Sequence, residues 1–141
     1  MNVLLVEDDP AEARLTCEAF REAGITHDLH HVSDGEAATR YLRHEKEFAH
    51  SPSPNIVLLD LNLPGKHGRE VLREMKADPI LQSIPVIVVS NSHAREDIDE
   101  VYRLHGNGYL IKPGDFEDFI QMVRSLADFW LKRAELPFMP A

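Results

Sequence analysis

The chain has 141 residues, a single cysteine, and 15 basic against 24 acidic side chains, for a formal net charge of −9. Its length fits one domain with a sizeable core, and 43% hydrophobic with 28% charged residues is ordinary for a globular protein. The acidic balance argues against a general nucleic-acid or anionic-membrane surface. No apolar run approaches the ~20 residues of a bilayer span, and the first residues lack a signal-peptide pattern. Cys17 has no possible internal disulfide partner, so a reducing cytoplasm is expected, with Cys17 packed on the inner side of the first helix.

Strand and helix patterns alternate along the chain. Residues 2–6 form a short apolar strand, and Pro10 suits the first turn of a helix that carries Ala13, Cys17 and Phe20 at helical spacing up to the stop signal Gly24. Residues 27–32 read as a second strand. Ser33-Asp34-Gly35-Glu36 has helix-capping chemistry, and Ala37, Ala38, Tyr41 and Leu42 form an apolar face behind it. Residues 45–54, with Ser51-Pro52-Ser53-Pro54, make a connection longer than usual, expected to be a surface insertion. Strand three covers 55–59, and a helix from 68 to 76 ends before Asp78-Pro79. Strand four, 85–89, is apolar on both faces, as a central parallel strand is. A helix over 94–105 is broken by Gly106-Asn107-Gly108. Residues 109–111 are strand five, and the last helix runs from 115 to 136. This five-fold alternation predicts an α/β fold: one five-stranded parallel sheet, doubly wound, with helices on both faces. Residues 1–136 form one domain, and 137–141 an apolar tail.

The chemistry gathers at strand ends. Glu7-Asp8-Asp9 follows strand one and Asp60 follows strand three. In an open parallel sheet, ligands bind outside the carboxyl ends of the strands. Carboxylates crowded there repel one another unless a cation lies between them, which points to a Mg2+ site containing a reactive aspartate. Ser90 follows strand four, and Lys112-Pro113 follows strand five.

These residues, each at the end of the appropriate strand, resemble the response-regulator receiver domain of two-component signalling over essentially the whole chain. The resemblance implies the flavodoxin-like receiver fold and a phosphoryl group received by Asp60 from a histidine kinase. It implies a signalling domain rather than a turnover enzyme. A carboxylate can be a nucleophile toward phosphorus, and a divalent ion offsets the charge of the reacting group. Asp8 and Asp9, with Asp60, are the expected Mg2+ ligands, and Glu7 is a secondary candidate because its direction is open. By the resemblance, Asn62 adds its backbone carbonyl. Lys112 is a flexible point charge for a phosphate oxygen, paired with Asp60 beforehand. Ser90 donates its hydroxyl, and the Lys112–Pro113 bond is often cis in the family. Tyr109, three residues before Lys112, takes the place of the family's switch aromatic.

Past residue 136 no effector domain is expected, so output would run through protein contact. Phe116, Phe119, Ile120, Val123, Leu126, Ala127, Trp130 and Leu131 form a wide apolar stripe on the last helix. Phe129 points elsewhere, and Leu136-Pro137-Phe138-Met139-Pro140 stays apolar. A homodimer through this helix and tail is expected. The runs Ser125-Leu126-Ala127-Asp128-Phe129-Trp130-Leu131, Tyr41-Leu42-Arg43, Leu59-Asp60-Leu61-Asn62-Leu63-Pro64 and Gly68-Arg69-Glu70-Val71-Leu72 resemble the single-domain regulators paired with phytochromes. That likeness implies a light-sensing histidine kinase as phosphodonor. The looser Gly106-Asn107-Gly108 departs from the subgroup. The eight histidines form no metal motif, and His67 is expected to be a solvated neighbour of the site. Three alternatives stand beside this reading. A haloacid-dehalogenase-type phosphatase would want a second aspartate two residues after the first, where Asn62 stands. A flavodoxin-like cofactor binder would want a phosphate-cradling loop after strand one, where acids stand. A phosphate-independent receiver would not need the full side-chain set.

Overall fold

A computed structural model describes residues 1–24 and 28–139. The expected start of the second strand at His27 and the tail residue Pro140 lie outside the described residues. The order is β1 (Asn2–Val6), α1 (Pro10–Glu22), β2 (Asp28–Val32), α2 (Gly35–Leu42), β3 (Ile56–Leu59), α3 (Gly68–Ala77), β4 (Val86–Ser90), α4 (Arg95–Arg103), β5 (Gly108–Ile111) and α5 (Phe116–Ala127). All strand pairs are parallel, in the order β2-β1-β3-β4-β5. The order reverses at β1, so the crevice beside β1 and β3 is the switch point where such sheets bind ligands.

Side-chain alternation divides the core into two layers. Leu4, Val6, Val57, Leu59, Val86 and Val88 face α2, α3 and α4. Val3, Leu5, Ile56, Leu58 and Ile87 face α1 and α5. β3 is buried on both faces, as continuous Ile-Val-Leu-Leu requires. On α1 the buried side is Ala13, Thr16, Ala19 and Phe20, while Cys17 is half-buried.

Three segments differ from their sequence-based outline. The last helix does not continue to residue 136. After Ala127 it widens into a π-helical stretch, Asp128–Arg133, and leaves helical geometry at Ala134. Leu131 stays buried and Trp130 packs on the α1/α5 layer, with Phe129 edge-on to it and exposed. The tail then crosses between the layers: Leu136 packs on the α1/α5 side and Met139 on the other. The insertion at 45–54 stays at the surface but adds a 3-10 turn, Lys46–Phe48, whose half-buried Phe48 ring lies 5.2 Å from Tyr41. Gly106-Asn107-Gly108 is tight rather than loose. A Cβ on Gly106 would come within 2.6 Å of Val101, and the Asn107 side chain accepts from the Val86 N–H at 2.9 Å.

Candidate functional site

Asp60 leaves the end of β3 with its N–H bonded to Val6 O at 3.1 Å, which ties it to the end of β1. The same end of β1 carries Glu7, whose carbonyl accepts from His31 Nε2 at 2.7 Å. α3 begins close beneath: a Cβ on Gly68 would lie 2.3 Å from Asp60 O, so only glycine fits there. Asp60 Oδ1 accepts from the Asn62 N–H at 3.1 Å, closing the turn after the strand.

Lys112 enters from β5, where its N–H donates to Ser90 O at 2.8 Å and places the ends of β4 and β5 side by side. Its ammonium is buried and donates to three carboxylates: Glu7 Oε1 at 2.7 Å, Glu12 Oε2 at 2.5 Å and Asp60 Oδ2 at 3.2 Å. Burial pulls the Lys112 pKa down, but the bonds to Glu12 and Glu7 and the Asp60 charge outweigh it, so the net direction is up. Burial pushes the Glu7 carboxyl up to about 7, against the opposing bond and charge of Lys112. Glu12 was not singled out in the sequence. An acid in the first turn of a helix is a common dipole complement, and nothing local reveals its contact with a lysine 100 positions away.

The acids after β1 divide their work differently from the expectation. Carboxylate oxygens of Glu7, Asp8 and Asp60 lie within 4.8 Å of one another. Asp9 caps α1 instead, accepting from the Ala11 N–H at 2.9 Å and, more weakly, from the Glu12 N–H at 3.4 Å. Pro10 at the first helical position carried this signal, since the residue before it is where an N-cap belongs. Glu7, given the secondary place, is therefore in the converging set, and Asp9 is not. The converging oxygens are hard, crowded and offset by one ammonium, a donor set suited to a divalent cation.

Ser90 is fully buried, and its Oγ accepts from the Ser92 N–H at 3.1 Å. Tyr109 is half-buried, with its hydroxyl donating to Ser92 O at 3.0 Å. Ser92 Oγ donates to Asp97 at 2.5 Å, and Asp97 and Glu100 both pair with Arg69 of α3. The loop after β4 is thus held from β5, α4 and α3 together. His67 is the N-cap of α3, with Nδ1 accepting from the Arg69 N–H at 3.2 Å. Among the described residues no peptide bond is cis, so the Lys112–Pro113 bond is trans here.

A buried carboxylate held by an ammonium beside further acids can act as a nucleophile whose product gains charge, provided a cation joins it. Comparison with known proteins agrees with that chemistry. The model of the response regulator receiver domain matches residues 3–124. Response regulator Rcp1 of Synechocystis is 45% identical over 135 residues, covering 96% of this chain and 92% of that protein. The crystal structure of the Mn2+-bound form of Rcp1 superposes with a TM-score of 0.93 at 44% identity, covering 97% of this chain and 99% of that one. The phosphorylated cyanobacterial phytochrome response regulator RcpA gives 0.93 at 44% identity, over 97% and 98%. No described helix is long and apolar enough to cross a membrane. Fold, strand-end chemistry and these likenesses agree, and the chain belongs to the response regulator receiver domain family.

Proposed function

We propose that Asp60 is the phosphoacceptor of a two-component phosphorelay in the cytoplasm, with a phytochrome-type histidine kinase as its donor. The observation that carries this is the Lys112 ammonium bonded to Asp60 in a buried setting beside Glu7 and Asp8. The donor class rests on the likeness to the phytochrome response regulator RcpA. One oxygen of Asp60 forms a bond to phosphorus as the N–P bond of a donor phosphohistidine breaks, and the departing imidazole nitrogen takes up a proton. Glu7, Asp8 and Asp60, with the Asn62 carbonyl, would hold Mg2+; Asp9 would serve that site indirectly, by fixing the start of α1. The bound cation would offset negative charge on the phosphoryl oxygens. Lys112 balances charge from the opposite side. Ser90 exchanges its bond from Ser92 for one to a phosphoryl oxygen, and Tyr109, tied to the same loop through Ser92, reports that movement.

Asp60→Asn tests the acceptor directly. In Mg2+, transfer from a phosphorylated kinase or from acetyl phosphate should vanish while the circular dichroism spectrum stays unchanged; undiminished labelling sinks the assignment. Phe129 and Phe138, 57% and 89% exposed, are apolar surface that a second copy would cover. Sedimentation at micromolar concentration should show a dimer that Phe129→Glu dissociates, and a monomeric parent chain would end that part of the reading.

A further inference from the structure

The ammonium of Lys112 has three N–H donors, and all three are occupied: by Glu7, Glu12 and Asp60. To bond a phosphoryl oxygen, Lys112 has to release a partner or share a donor. The partners differ in how readily they can be released. The Glu7 side chain is only 5% exposed and has no room to turn into water. Asp60 is the group being modified. Glu12 lies 31% exposed on the first turn of α1, and its carboxylate can turn into water. Its backbone does not have to move, because the Asp9 carboxylate holds the Glu12 N–H and Glu12 O accepts from Thr16 Oγ1 at 2.9 Å.

We propose that Glu12 is a positioning residue for phosphoryl acceptance: it holds Lys112 in the resting chain and is exchanged for the phosphoryl group when Asp60 is modified. This rests on the reading of Asp60 as the phosphoacceptor. Glu12 is then a brake, since every acceptance event must first undo a charge-assisted hydrogen bond. It also adds a negative charge next to the arriving anion. Removing its charge while keeping its shape eases both effects.

The experiment uses the full chain with acetyl phosphate and Mg2+, comparing parent, Glu12→Gln, Lys112→Met and the double variant. Glu12→Gln should lower the half-saturating concentration of acetyl phosphate about threefold to fivefold, the range for a partly exposed ion pair. The maximal rate should change less. In the Lys112→Met background the same substitution should have a clearly smaller effect, because only the direct repulsion of the anion is left once Glu12 has no Lys112 to hold. The Lys112 ammonium resonance of the metal-free chain should shift in Glu12→Gln and stay fixed in Glu117→Gln, which alters an exposed helix acid. An unchanged half-saturating concentration, or an equal effect with and without Lys112, overturns the proposal while leaving Asp60 as acceptor. A parent chain that takes up no phosphoryl group overturns both.

Discussion

Two lysines brace opposite ends of the same sheet, and they are held by opposite kinds of partner. Lys112, at the carboxyl ends, faces three carboxylates, and its proton is held more firmly than in water. Lys76, in the last turn of α3 at the other end, faces only neutral oxygens: Gln82 O and Ile84 O at 2.9 Å and Asn107 Oδ1 at 3.2 Å. Burial lowers its pKa, and among the described residues no carboxylate restores it. Both fix loops in place. Only Lys112 is bonded to charged partners, and a bond to one of them can be exchanged for a bond to an incoming anion. A lysine among carbonyls is a clamp; among carboxylates it becomes a counter-charge that can change partners.

The contrast can be broken by the same substitution at both ends. Lys112→Met should reduce phosphoryl acceptance at least about 100-fold, the scale for losing a charge aimed at a reacting group. Lys76→Met should leave acceptance intact and lower stability by about 2 kcal/mol, since the Gln82 and Ile84 carbonyls lose the Lys76 donor while Asn107 keeps only the Val86 N–H. Phosphotransfer kinetics and denaturant melts on both variants check the pair; a large kinetic loss at Lys76 would erase the distinction. A smaller effect distinguishes the ends by pH. The Glu7 carboxyl is raised from an ordinary 4.5 to about 7, mainly by burial. Its contribution to the stability of the metal-free chain is therefore complete below the unfolded value and is lost as pH rises through about 7. Between about pH 6 and about pH 8 the loss should be on the order of 1 kcal/mol. Glu7→Gln should flatten that part of the profile, and melts at the two pH values decide it.

The strands, the alternation and the residues at strand ends were legible in the sequence because each follows from local pattern. An apolar run that stops at a polar or charged side chain needs no distant partner to be noticed, and Asp60, Ser90 and Lys112 all have that form. What was missed depends on direction or distance. Three consecutive acids cannot be told apart by type, and only the path of the backbone into α1 sends Glu7 and Asp8 toward Asp60 while Asp9 turns to cap the helix. Glu12 meets Lys112 only after four strands have been placed. Asn107 read only as part of a loose helix break between glycines, yet its side chain joins Lys76 to the start of β4. The π-helical turn after Ala127 has no periodic signature in so short a segment, so the last helix read as longer than it is.

Gly68 acts through what it lacks. With no side chain, it lets the first turn of α3 press against the carbonyl of Asp60. The clearance there is smaller than a methyl group, so any replacement must push back on the very residue that is to be modified. Position 68 carries no charge, no donor beyond its backbone and no reactive atom, yet it sets the tolerance to which Asp60 is machined. A library screened for altered signalling would find it among the positions that admit no alternative.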